Sequence, residues 1–467
     1  MSFRRRGLLG CLVLAFVFVL GAPLLFWGWD FPSRLSGAVS GLDLPEWVQE
    51  NFKPFAPPLH SQVEEEVKET KVYGPNHVGV ETTIPGGAYT QGITVLDNLY
   101  LSNGTLFILT SDQSKFPPET EMVGKPVGWG LDSVAQDLQF LHPSTEILGQ
   151  RAIRITGLSI IITDAPSSMN NFYRWWAEIV LGTWRVYSKL GTGQTRLPLP
   201  SRFILPRASD GEWRDDTKLT GPFMRVAFPS TAIEQADYWK DLINLGTTII
   251  FDRVILVSRE AATQKGFWSE IRNGAMQSHV DSVTSRFWEP IRQAVVRNTL
   301  GCLPDPRDVI LGQVRVGGHH TRPLVTYLSS QHSTPRLDEN DHEALIDALQ
   351  ELERAQVCDF HVLDMERASL EEQVEYAAKS TVLVGVRGID LTHQLWMPPS
   401  RRSTILEIGW STVENSYDQA VVAEVLRHQH YAMWNDTLMT TPEGSYDKEN
   451  GPEEDNFSSS VKRLGQC

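Results

Sequence analysis

The chain is 467 residues long, is 41% hydrophobic and carries a formal net charge of −15. That length accommodates two domains of ordinary size plus tails, and that hydrophobic content supports packed cores rather than disorder. The acidic balance argues against a nucleic-acid partner, since phosphate backbones are bound by basic faces.

Residues 1–6 are a short basic tail with Arg4, Arg5 and Arg6, followed by a charge-free run over residues 7–29. As a helix this run spans about 34 Å, enough for a bilayer core. Trp27 and Trp29 suit the far interface, and the basic tail places the N-terminus in the cytosol. A cleaved signal peptide is the competing reading. Pro23, directly after the small pair Gly21-Ala22, opposes it, and the apolar run continues past that point. A retained transmembrane helix implies a single-pass type II protein with the rest of the chain luminal. There the sequons at Asn103, Asn435 and Asn456 become glycosylation candidates. Of the four cysteines, Cys11 lies in the anchor, and Cys302 and Cys358 are a candidate bridge that spacing alone does not establish.

Residues 30–72 read as a stem, with Pro45, Pro54, Pro57, Pro58 and a charged run over 64–69. From residue 73 strands and helices alternate. A β-rich stretch over 152–163 leads to a helix over 172–189. A short strand at 203–205, a helix over 233–245 and one or two strands over 247–257 follow, then a mostly helical region over 267–297. Pro304 and Pro306 mark a junction. Beyond it come a strand at 324–328, a helix over 342–354 and a strand over 357–363. Ser369 caps a helix over 370–379, with Glu372 at the capping-box position. Strands at 382–386 and 404–408 flank a short helical pattern over 391–397, and a helix over 417–427 closes the series. This alternation argues an α/β fold with a parallel sheet covered on both faces. The predicted domains are 73–303 and 304–437, with a cleft between them and a polar tail over 438–467.

The candidate chemistry lies at the carboxyl ends of the predicted strands, where open α/β sheets bind ligands. Ser330 and Arg336 follow the first strand of the second half, and Glu371 opens a helix. Gly385, Arg387, Gly388, Leu391 and Thr392 form a strand–turn–helix unit, and Glu407 ends the next strand. Backbone N–H groups at the start of that short helix suit a pyrophosphate, and Glu407 suits ribose hydroxyls.

These segments occur in a recognisable order: VTYL at 325–328, LEEQ at 370–373, VLVGVRGIDLTHQLWMPP at 382–399, ILEI at 405–408 and YAMWNDT at 431–437, preceded by NNFYRWWAEIVLGTWR at 170–185. Together they resemble the fungal branch of glycosyltransferase family 61 over roughly residues 90–437. The resemblance implies a GT-B fold, two Rossmann-like domains facing a cleft, behind a single N-terminal transmembrane helix in the Golgi or endoplasmic reticulum membrane. It implies a UDP-sugar donor, a glycoprotein or polysaccharide acceptor, transfer with inversion and no prosthetic group. Inversion by single displacement needs one general base and positive charge or N–H dipoles at the leaving diphosphate. No D-x-D motif flanked by apolar strand residues occurs, so a metal-independent reaction with no metal site is expected. Glu178 is the expected base, with Arg174 four residues before it on the same helix face.

The departures from the family pattern are specific. Arg387 stands where the family has His, Asp390 where it has Gly, Ser330 where it has a basic residue and Arg174 where it has His. Arg387 suits a diphosphate through its bidentate fork, whereas Asp390 repels one unless it is paired. The alternative to an active enzyme is therefore a non-catalytic relative that binds glycans or scaffolds other transferases. Asp164 reads as a turn residue or a supporting acid, His319-His320 as a loop, His393 as a partner of backbone carbonyls, and Trp175, Trp176 and Trp184 mostly as core.

Overall fold

A computed structural model of the chain describes residues 79–124, 137–145, 148, 152–191, 197–262, 286–304, 322–333, 335–400, 402–409, 418–434 and 437–438. All of them fall within one compact unit, Tyr73–Cys467. The predicted anchor, the stem, the C-terminal tail, Asn435, Asn456 and His319-His320 lie outside the described residues. Among the described residues no helix is long and apolar enough to cross a membrane.

The first half is built on an eight-stranded sheet: β1 Tyr89–Thr90, β2 Ile93–Ser102, β3 Thr105–Leu109, β4 Leu138–Leu141, β5 Ala152–Ile162, β6 Arg202–Ile204, β7 Ala232–Glu234 and β8 Thr248–Val257. The order is β4-β3-β2-β8-β5-β6-β7, with β1 on β2. It is a mixed sheet, because β2 runs antiparallel to both β3 and β8 while β8, β5, β6 and β7 are mutually parallel. The local cause is Asn103-Gly104, which joins β2 to β3 with both φ angles positive, at 48° and 84°. Asn-Gly in that conformation is the two-residue hairpin turn that matches strand twist. The sequon Asn103 is therefore exposed on a hairpin tip.

The helices of this half are α1 Glu119–Met122, α2 Leu181–Ser188, α3 Thr220–Ala227, α4 Ala236–Asn244, α5 Arg259–Ala262 and α6 Glu289–Leu300, with a π-helix at Arg174–Val180 running into α2. The helix predicted over 233–245 begins only at Ala236. Ile233 instead pairs in register with Phe203 on β6, so a parallel ladder overrides the local helical pattern. Residues 248–257 form one uninterrupted strand rather than two.

The second half carries β9 Leu324–Ser329, β10 Asp359–Asp364, β11 Val382–Val386, β12 Thr404–Ile408, β13 Gln429–Trp434 and β14 Thr437–Leu438, with helices α7 Glu339–Arg354, α8 Leu370–Lys379 and α9 Asp418–Leu426. The sheet order is β10-β9-β11-β12-β13-β14, parallel throughout except for β14. Its alternating apolar residues divide between two faces. Val325, Tyr327, Val384 and Ile408 pack beneath α7, whereas Leu328, Leu383 and Ile405 join Leu391, Met397 and Ala423 on the opposite side. The capping box at Ser369 and Glu372 is present in full. Helix α7 starts at Glu339, earlier than predicted, because the Asp338 side chain caps it by accepting from Asn340 N–H at 3.0 Å. The candidate bridge is not formed: Cys302 is an exposed free thiol and Cys358 a buried one.

The halves meet through a layer of helices. Helix α6 packs against α3 on one side and against α8 and the Ile389–Trp396 3-10 helix on the other. A single apolar core crosses the seam, joining Phe172, Trp176, Phe223 and Ile291 to Val374, Leu395, Trp396 and Val422. Trp396 is fully buried there, stacked on Phe223 at 5.1 Å and edge-on to Trp176 at 5.3 Å. Trp288 donates its indole N–H across the same seam to the Leu395 carbonyl at 2.9 Å. Trp175, Trp176 and Trp184 are all core residues.

Candidate active site

In the second sheet, the chain leaves β9 for β10 on one side and returns to β11 on the other, so the topological switch point lies between β9 and β11. The carboxyl ends of such neighbouring strands leave a crevice for ligands. Ser330 follows β9, and Arg387 and Gly388 follow β11. The Ser330 hydroxyl donates to the Asp390 carboxylate, tying the two strand ends together. Arg387 N–H donates to the Ile408 carbonyl at 2.9 Å. The Gly388 carbonyl accepts from Gln419 at 3.0 Å, which fixes the turn to the start of α9. Burial raises the Asp390 pKa, and the nearby Glu366 charge adds to this while the Ser330 hydrogen bond opposes it.

Other predicted residues of this half have different surroundings. Gly385 is buried, and a Cβ there would lie 3.0 Å from Leu391 Cδ2, so the glycine makes room for the 3-10 helix to pack on β11. Leu391 and Thr392 are fully enclosed. Glu407 is buried with one carboxylate oxygen 2.8 Å from His430 Nε2, and so does not present itself to solvent as a ribose ligand would. Arg336 is exposed and donates to the Gln331 carbonyl at 3.1 Å. Glu371 is exposed on the first turn of α8. His393 is buried, with its ring nitrogens 2.9 Å from the Asp390 carbonyl and 2.9 Å from the Gln373 amide oxygen. Burial lowers its pKa to about 4, so the ring is neutral at pH 7.

In the first half, Glu178 and Arg174 lie on the π-helix. Such wide turns are rare and recur at functional sites. Glu178 is 8% exposed and forms an ion pair with Arg259, which opens α5 directly after β8. Arg259 thus holds the carboxylate, and Arg174, four residues before Glu178, donates to the Ser167 carbonyl at 3.0 Å. Burial pulls the Arg174 pKa down. The Arg259 charge adds to that effect, and Glu178 and Asp418 oppose it. Burial also works against the Arg259 cation, but contact with Glu178 outweighs it and leaves the Arg259 pKa raised.

The two sets of residues adjoin. Phe172 stacks on His393 with centroids 5.3 Å apart, and the Tyr173 hydroxyl donates to the Asp418 carbonyl at 3.1 Å. The helix bearing Arg174 and Glu178 therefore starts on the 3-10 helix that follows the switch-point turn. Arg259, Asp418 and Gln419 escaped the sequence reading. Arg259 had a usable signal, since Ser258-Arg259-Glu260 directly follows the apolar strand 248–257. Among the described residues no group of three or more His, Cys, Asp and Glu side chains is placed to hold a metal ion.

Packing around α5 is tight. A Cβ on Gly124 would lie 2.3 Å from the Ala261 backbone nitrogen and 2.5 Å from the Glu260 carbonyl carbon. Gly124→Ala is expected to displace α5 and cost about 1–3 kcal/mol, read as a Tm several degrees below wild type by calorimetry.

The family model described as Glycosyltransferase 61 matches residues 199–405, a span that includes α5, the switch-point turn and β9–β11. No curated protein matches the chain.

Proposed function

We propose that the chain, whose residues 199–405 match the Glycosyltransferase 61 model, is a member of that family and transfers a sugar, with inversion, from a UDP-sugar to a hydroxyl of a glycoprotein or polysaccharide acceptor. The carrying observation is the Glu178 carboxylate, buried and held by Arg259, on a helix that starts against the switch-point turn. Glu178 takes the proton of the acceptor hydroxyl as its oxygen bonds to the anomeric carbon. The bond from that carbon to the diphosphate oxygen breaks, and the electron pair leaves with UDP. Arg387 and the N–H groups opening the 3-10 helix are the groups for the leaving charge, and Arg174 serves on the acceptor side. The reaction proceeds without a metal. The fold is of GT-B type, with 73–303 as the acceptor-side domain and 304–437 as the donor domain. Residues 7–29 anchor the protein in the Golgi or endoplasmic reticulum membrane as a type II protein, with Asn103, Asn435 and Asn456 available for glycans.

The second reading, a relative that binds glycans without transferring sugar, is favoured by Asp390. Its carboxylate sits on the turn that would receive the diphosphate. Both readings are tested with the full chain against a panel of UDP-sugars, alongside thermal shift with UDP. Stabilisation by UDP with no transfer to any acceptor supports the second reading, and transfer supports the first. Asp390→Asn removes the repulsion and is expected to tighten UDP binding about tenfold by calorimetry. Because the Asp390 pKa is raised, the wild-type carboxyl takes up its proton above the usual carboxylate range as pH falls. UDP affinity then rises with that uptake, and this part of the rise is absent in Asp390→Asn.

A further inference from the structure

Asp164 lies just past the carboxyl end of β5 and is fully buried. Its carboxylate accepts from the Arg259 N–H at 2.7 Å, the Glu260 N–H at 2.9 Å and the Ser258 hydroxyl at 3.2 Å. The Ser258 hydroxyl in turn accepts from the N–H groups of Gly124 at 3.0 Å and Ala261 at 3.1 Å. The clasp is reciprocal, because the Glu260 carboxylate returns to the loop after β5 and accepts from the Ser168 hydroxyl at 3.2 Å. The Ser167 carbonyl of the same loop receives the Arg174 guanidinium. The loop over 164–168 thus fixes both arginines beside Glu178, and Asp164 does so for Arg259 without touching Glu178 itself.

We propose that Asp164 is a positioning residue for sugar transfer, fixing the backbone of Arg259 so that its guanidinium orients the Glu178 carboxylate. This rests on Glu178 acting as the base. An ionised carboxylate suits three donors, whereas its protonated form keeps an O–H that must displace one of them. Burial raises the Asp164 pKa to about 6, the backbone N–H bonds of Glu260 and Arg259 pull it down, the Glu260 charge raises it, and the Arg259 charge lowers it. The device therefore loosens as pH falls through about 6.

The stability consequence has the opposite sign. The native pKa lies above the model value of 3.8, so this group favours the native state most below about pH 4. That contribution is lost as pH rises through about 6. Asp164→Asn removes this pH dependence but turns an amide NH2 toward one of the three buried donors, so its Tm at pH 7 is expected to fall by a few degrees.

The test uses the full chain and a UDP-sugar that supports transfer. Asp164→Asn is expected to lower kcat 10- to 100-fold with donor KM unchanged, to remove the ionisation near pH 6 from the rate profile, and to speed hydrogen exchange at the Arg259 and Glu260 amides. Arg259→Lys keeps the backbone clasp but shifts the cation, and is expected to lower kcat similarly. The double variant should be no worse than the poorer single one, because both act through one guanidinium. A wild-type kcat in Asp164→Asn, or losses that multiply in the double variant, overturns the proposal. So does a loss of kcat no larger than the loss of folded protein at the assay temperature. Should Asp164→Asn fail to fold, Arg259→Lys and its pH profile carry the test: a profile that keeps the ionisation near pH 6 in that variant overturns the proposal, and its disappearance supports it. A Glu178→Gln variant that retains wild-type kcat refutes the underlying assignment of the base, separately from the amide-exchange result at Arg259.

Discussion

Glu178→Gln is expected to lower transfer about a thousandfold, the usual scale for losing a positioned general base. Steady-state rates with a UDP-sugar donor, measured below the melting temperature, check this. The amide oxygen still accepts from Arg259, but the guanidinium, with 22% of its side chain exposed, loses its closest counter-charge. A stability cost of about 1–3 kcal/mol therefore accompanies the rate loss. The Asp164 charge, also felt by Arg259, limits that cost. The UDP-induced shift in Tm is expected to persist, because the switch-point turn is untouched. A variant that transfers at the wild-type rate removes Glu178 from the mechanism.

Trp396→Ala is expected to cost about 3–5 kcal/mol, the range for deleting a large buried aromatic side chain. The indole touches Phe223 and Trp176 from the first half and lies 6.2 Å from Trp288. The cavity would open in the layer that joins the two sheets. Urea unfolding followed by circular dichroism should show a lower midpoint in one shared transition for both halves. An unchanged midpoint would mean that the seam contributes little to holding them together.

The second half was largely legible from sequence because its signals are local. An apolar run bounded by a turn gave Val382–Val386, and a serine three residues before a glutamate gave the start of Leu370–Lys379. The switch-point turn was readable for the same reason, as residues 385–392 are contiguous. The first half hid more. Its mixed sheet follows from a hairpin at Asn103-Gly104, a pair that in the sequence also opens a sequon and so carries two signals at once. The Ile233 ladder depends on a strand thirty or so residues away in sequence. The Glu178 site was half legible. Its carboxylate sits in a motif, but its partner Arg259 and the clasp at Asp164 come from two strand ends brought together only by β5–β8 pairing. No local pattern links residues so far apart. Nor does any local pattern mark the π-helix, which has the apolar periodicity of an ordinary helix.

The core that crosses the seam has an evolutionary consequence. Residues such as Phe223, Trp288 and Trp396 are fitted to one another at close-packed density, so a change of volume on one side demands an answering change on the other. The two halves are therefore not freely interchangeable modules. A chimera joining the first half of this chain to the second half of another protein of the same fold would inherit a mismatched seam unless the facing helices travel as a set. The loops at the strand ends are not bound in this way: the Asp390 carboxylate there is met by one neighbouring hydroxyl, that of Ser330.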